Sequence, residues 1–100
     1  MRFEWDDRKA RTNLRKHGVS FEEASTVFID RRGKTRFDVG HSDAEDRFLQ
    51  LGRSRKGRLL IVCHCYRGAM VRIISARKAL PEDEIYYLEE NEDALKLPEL

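Results

Sequence analysis

Hydrophobic positions along the chain change period more than once, and those changes divide it into elements. Arg2-Phe3-Glu4-Trp5 alternates polar and apolar residues as a short strand does, and Asp6 is suited to cap the helix that follows. That helix is expected to run to His17, with Gly18 as its C-cap. Ser20 opens a second helix, and Glu23, three residues on, completes a capping-box pattern. Phe21, Ala24, Val27 and Phe28 recur at helical spacing, giving one apolar face that would lie on a sheet. From Lys34 the period becomes two. Thr35, Phe37 and Val39 alternate with Lys34, Arg36 and Asp38 as in a half-exposed strand.

Beyond a polar stretch from His41 to Asp46, three apolar runs follow, Arg47 to Arg53, Arg58 to Tyr66 and Ala69 to Arg77. The turns Ser54-Arg55-Lys56-Gly57 and Arg67-Gly68 join them into an antiparallel meander. With Arg67-Gly68 as a two-residue loop, Tyr66 faces Ala69 and His64 faces Val71. One face then carries Leu60, Val62, His64, Tyr66, Val71, Ile73, Ser75 and Arg77. The other carries Leu59, Ile61, Cys63, Cys65, Met70, Arg72, Ile74 and Ala76. Both faces are largely apolar, so each needs at least partial cover. Pro81 starts a final helix, followed by Glu82, Asp83 and Glu84 in its first turn, and this helix carries Ile85, Tyr86, Tyr87 and Leu88. The expected fold class is α+β: a short N-terminal strand, two helices, an antiparallel β-meander sheet and a C-terminal helix. Residues 1–91 form one compact domain, and the acidic tail 92–100 is expected to fray or to order on a partner.

A chain of 100 residues has room for one core, and 40% apolar with 38% charged residues is a folded composition. The longest apolar run, Leu59 to Cys63, is far short of a membrane span, and the N-terminus has no apolar signal-peptide region. A cytoplasmic protein with no membrane partner is the expectation. Cys63 and Cys65 share one face of a strand and read as reduced thiols. Charge sharpens the picture: the net value of +2 conceals a dipole. Residues 1–78 hold 19 Lys and Arg against 10 Asp and Glu, whereas residues 79–100 hold 1 against 8. A basic body of this kind suits a polyanion such as RNA or DNA, although a solvated small-protein surface reads the same way.

Several ordered blocks resemble the BrnT family of bacterial type II toxins. They are Phe3-Glu4-Trp5-Asp6, Lys9, Asn13, Lys16 through Ala24, Glu45, Arg47, Gly52, Gly57 through Leu60, His64, Arg67-Gly68 and Arg72 through Ala79. The resemblance covers about nine tenths of the chain. It implies a RelE-like fold, cleavage of RNA with no cofactor, and neutralisation by a BrnA-like antitoxin encoded in the same operon. A hetero-tetramer with that antitoxin, which alone would contact DNA, is also implied. Departures are Asp7, where the family often has proline, Tyr66 in place of a polar residue, and the long acidic tail.

Metal-free RNA cleavage requires a deprotonated 2′-hydroxyl, stabilisation of the phosphorane and a protonated leaving oxygen, so His, carboxylate, Arg and Lys are the groups to seek. His64, on the face expected to carry Ser75 and Arg77, is either a proton-transfer group or a satisfied structural histidine. Arg77 is the expected phosphate binder, with Lys78 beside it. Arg72, five residues from Arg77 and therefore expected on the opposite face, binds substrate or pairs with an interior carboxylate. Glu45 could orient a base and Arg47 could clamp RNA, or the two could form a strand-entry salt bridge. Lys9 lies on the first helix as a candidate RNA contact, Lys16 lies near its end, and His17 reads as a helix-end residue. Trp5 reads as an anchor of the first strand. Cys63-His64-Cys65 is a poor metal triplet, because adjacent strand residues point to opposite faces. Two rivals to a catalytic toxin remain, a non-catalytic RNA- or protein-binding module of the same fold and a DNA-binding regulator.

Overall fold

The computed structural model describes residues 1–95, and side chains up to Glu89. In chain order the elements are β1 (Arg2–Glu4), α1 (Asp7–His17), α2 (Phe21–Ser25), a 3-10 turn (Thr26–Ile29), and β2 (Lys34–Phe37). A second 3-10 turn (Val39–His41), β3 (Phe48–Arg53), β4 (Leu59–Arg67), β5 (Met70–Lys78) and α3 (Pro81–Leu95) complete them. Five strands form one sheet in the order β1-β5-β4-β3-β2. The β2 to β5 pairs are all antiparallel, as the meander requires, but β1 pairs parallel to β5, so the sheet is mixed.

Local chemistry sets the element ends. Asp6 accepts a hydrogen bond from the Lys9 N–H at 3.0 Å, and α1 closes on Gly18, whose φ of 70° returns its N–H to the Leu14 carbonyl. Ser20 caps α2 through the Glu23 N–H at 3.0 Å. The expected second helix then tightens after one turn. The Ser25 and Thr26 hydroxyls donate to the Glu22 and Glu23 carbonyls at 2.7 and 2.6 Å, and the chain continues as 3-10. The second arm of the expected capping box is unused: the Glu23 carboxylate turns instead to Ser54 and Arg58 on the β3–β4 turn. Arg58 also donates to the Gly18 carbonyl at 3.0 Å, tying that turn to the α1–α2 junction. The Arg58 guanidinium holds the Glu23 carboxyl below the usual carboxylate range, helped by Ser54 and opposed by burial.

One sheet face packs on the helices through Val19, Phe21, Ala24, Val27, Leu60, Val62, Ile73 and Ala76. Trp5 anchors the chain there, edge-on to Phe21 with centroids 6.0 Å apart, as expected. Gly52 permits this packing, since a Cβ there would lie 2.9 Å from the Val27 carbonyl oxygen. The opposite face holds a smaller cluster of Leu51, Ile61 and Tyr87, the last supplied by α3. Tyr87 donates to Asp30 at 2.7 Å, fastening α3 to the loop before β2. Burial, and then the Asp30 carboxylate, push the Tyr87 hydroxyl up to about 12.

The sheet corrects the expected division of faces. Near the turn the pairing is as expected in phase, with Tyr66 opposite Val71 and His64 opposite Ile73, the two-residue loop being Gly68-Ala69. Beyond it the register shifts between Cys63 and His64. Cys63 lies opposite Ser75, so Ile74 is an extra residue in β5. The shift inverts the phase of everything after it: Ala76 turns to the helices, while Ser75 and Arg77 turn to the open face. Arg77 therefore does not share a face with His64, and Arg72 and Arg77 do not oppose one another. β2 also ends at Phe37 rather than Val39, because Val39 begins a 3-10 turn. α3 continues to Leu95; the remainder of the acidic tail, residues 96–100, lies outside the described residues.

Candidate nucleic-acid cleft

Where α3 leaves the second sheet face uncovered, a cleft of about 250 Å³ opens. Its floor is Leu49, Ile61, Cys63 and Ile74. Around it stand His17 from the end of α1, Asp38 and His41 from the second 3-10 turn, Arg47 entering β3, and Ser75 and Arg77 from β5. The short turn Asp38-Val39-Gly40-His41 brings the Asp38 carboxylate onto His41 Nδ1, at 3.2 and 3.0 Å to its two oxygens. Asp38 is buried, whereas the His41 side chain is 70% exposed, so a supported imidazole is presented to solvent. An ionised carboxylate can only accept, so Nδ1 is the donor in this contact, and in a neutral ring Nε2 would carry the lone pair. The loop around this pair is built by Ser42. Its hydroxyl donates to the Asp38 carbonyl at 2.6 Å and accepts from the Arg47 N–H at 3.0 Å.

Arg47 is distinctive. Among the described residues its Nε is the one buried side-chain nitrogen or oxygen with no hydrogen-bond partner. A buried donor left this way costs free energy unless something accepts from it. Arg77, 39% exposed at its side chain, donates to Asp83 of α3 and to the Lys78 carbonyl, both at 3.2 Å. Asp83 also accepts from the Leu80 N–H at 2.9 Å, so one carboxylate caps α3 and steadies Arg77. Beneath the cleft, burial and the Asp38 charge push the Cys63 thiol up to about 11, and both cysteines are free. Cys63 is therefore a neutral part of the floor.

Of the residues expected to form a site, Arg47 and Arg77 come together in this cleft. His64 does not. It is completely buried on the helix-covered face, among Phe28, Phe48 and Tyr66, with ring centroids 4.8 to 6.0 Å away. Its Nδ1 meets the Val62 carbonyl at 3.1 Å, and burial lowers its pKa. The expected shared face of His64 with Ser75 and Arg77 is thus corrected: His64 packs in the core among aromatic rings, its Nε2 3.4 Å from the Tyr66 hydroxyl. Glu45 lies outside the cleft lining and pairs with Arg67 at 3.7 Å. Arg72 pairs with Glu4 of β1, the carboxylate alternative considered for it, though at a half-buried edge. Lys78, exposed, points to the helix side near Gly18. Lys9 lies in a separate groove along α1. Pattern reading missed His41 and Asp38, whose Asp-x-x-His spacing puts both on one side of a helical turn. The strand assigned over Asp38 hid that spacing.

Two imidazoles and two guanidinium groups around a cleft on an α+β sheet define a small protein suited to an anionic substrate, with groups able to move protons. The profile of the ribonuclease toxin family BrnT, of type II toxin-antitoxin systems, matches residues 5–83, and the chain belongs to that family. It is a ribonuclease toxin whose system supplies a cognate antitoxin. Among solved structures, the Brucella abortus ribonuclease toxin BrnT is similar with a TM-score of 0.62 and 25% identity. That match covers 80% of this chain and 97% of the other. Comparison with curated proteins finds no match. Among the described residues no helix is long and apolar enough to cross a membrane, and no group of three or more His, Cys, Asp and Glu is placed to hold a metal ion.

Proposed function

We propose that this toxin is a metal-independent endoribonuclease acting at the cleft between His17, His41, Arg47 and Arg77, in the cytoplasm, where cleavage of cellular RNA stops translation and growth. The observation that carries this reading is that Arg47 and Arg77 line one cleft together with the Asp38-supported His41. Two guanidinium forks in one cleft match the geometry of a phosphate. In the reaction one imidazole takes the 2′-hydroxyl proton as that oxygen attacks phosphorus. The two arginines stabilise the phosphorane charge, and the second imidazole delivers a proton to the departing 5′-oxygen, leaving a 2′,3′-cyclic phosphate. Asp38 orients His41 throughout. The antitoxin of this system is BrnA-like on this reading and forms a hetero-tetramer with the toxin. DNA is met only through the antitoxin, consistent with the lack of a recognition-helix motif in this chain.

The test is incubation of the purified toxin with RNA in excess chelator, with His17→Ala, His41→Ala, Arg47→Ala and Arg77→Ala beside wild type. Each substitution is expected to lower the rate by roughly 10²- to 10⁴-fold, the range for a proton-transfer group or a charge-stabilising donor. Folding by circular dichroism should be unchanged. Cleavage that survives both histidine substitutions, or that requires added metal, rejects this site.

A further inference from the structure

A second groove, of about 300 Å³, runs along α1 and meets the cleft: both are lined by His17, Ile74 and Ser75. The junction is the place where Ile74 is the extra residue of β5, so the irregularity that turned Arg77 to the open face also joins the two depressions. From there the groove is lined by Lys16, Thr12, Lys9 and Arg8. Lys9, Thr12 and Lys16 recur at helical spacing on one side of α1, with the two lysines about 10 Å apart along its axis at 1.5 Å per residue. No carboxylate lines this groove. Arg58, Arg67 and Arg72 are each held by a carboxylate, namely Glu23, Glu45 and Glu4. Arg8, Lys9 and Lys16 form a row along the path leading out of the cleft, with Asp6 near Arg8 and Lys9 at its far end. The wall is rigid as well, because Asn13 bonds α1 to β5 at Ala76.

We infer that the α1 groove is a binding subsite for the single-stranded RNA flanking the scissile phosphate, with Lys9, Lys16 and Arg8 reading the backbone and Ser75 at the crossing point. This rests on the reading of the cleft as the RNA site. The row is basic and without a recognition element, so it holds phosphates without selecting bases. The consequence is a length requirement: RNA reaching only the cleft forgoes these contacts, whereas a longer strand makes both sets.

Binding of single-stranded RNAs of 4 and 16 nucleotides, 2′-O-methylated so that no cleavage can occur, tests this by fluorescence anisotropy. The double substitution Lys9→Gln with Lys16→Gln is expected to weaken the 16-mer roughly tenfold and the 4-mer less than twofold. The slope of log K against log salt for the 16-mer should become shallower by about 1.4, the value for two lost single-strand phosphate contacts. Equal weakening of both lengths, or no weakening of either, overturns the subsite; in the latter case the groove serves a protein partner instead. Arg47→Ala with Arg77→Ala reads the cleft independently and should weaken both lengths. If that variant binds both RNAs normally while the α1 variant loses the 16-mer, the cleft reading fails and the groove stands.

Discussion

His64 carries the clearest chemistry of any single side chain outside the cleft, because it is an ionisable group with no exposed surface. Burial lowers its pKa, so on acidification the unfolded chain takes up a proton at this position before the folded one does. Stability should therefore fall as pH drops below the ordinary imidazole value of about 6.5. The contribution is complete above that value and is progressively lost beneath it. Urea denaturation of wild type and His64→Phe between pH 5.5 and 7.5 checks this. The variant is expected to be markedly less pH-sensitive, and an unchanged pH dependence would show that His64 does not supply it. The window avoids Glu23, whose lowered carboxyl titrates in more acidic solution. Residue type and strand position both point to His64 as the chemical histidine. What one sequence could not supply was the burial of its face beneath the helices.

At the level of elements, the extra residue in β5 and the side chain of Asn13 work together. Asn13 donates to the carbonyls of Val19 and Ala76 at 2.9 and 2.8 Å and accepts from the Ala76 N–H at 3.0 Å. Both backbone polar groups of Ala76 are thereby satisfied by a side chain on α1, at a stretch of β5 that β1, paired only with Met70 to Arg72, does not reach. Asn13→Ala should cost about 2 to 3 kcal/mol, the scale for leaving buried backbone groups unpaired. It should also speed hydrogen exchange at the Ala76 amide selectively; uniform acceleration would instead indicate global destabilisation alone. Most elements were legible because their signals are local: Asp6 and Gly18 at the ends of α1, the alternation in β3 and β4, Pro81 at the start of α3. The extra residue was not, since counting by two carries through Ile73 and Ile74 without a break. A miscount of one there moved Ser75 and Arg77 to the wrong face. The Asp38–His41 turn escaped for a related reason, because Phe37, Val39 and their charged neighbours continue a strand pattern past the point where the backbone leaves it.

Across the whole molecule, the strong separation of charge along the sequence is folded back on itself. The acidic first turn of α3 is set against the basic sheet, where Asp83 meets Arg77 and lies 3.9 Å from Arg36, and Arg36 and Arg53 sit over the Tyr86 and Tyr87 rings. The anchor of this arrangement is Tyr87 on Asp30, a carboxylate that the Arg53 and Arg32 N–H groups also bind at 2.8 and 2.9 Å. Tyr87→Phe removes one donor and leaves the other two, so it should lower stability by about 1 kcal/mol in chemical denaturation. A loss several times larger would mean that the hydroxyl alone holds α3. Asn13 has one more consequence at this scale. A sheet edge with free amides and carbonyls invites a neighbouring chain to extend it, and proteins commonly guard such edges with charge, proline or covering helices. Here a single amide side chain closes part of the β5 edge in the manner of an additional strand. It thereby favours the outer edge of β2 over this stretch for growth of the sheet, and losing it would turn a folding defect into a propensity to self-associate.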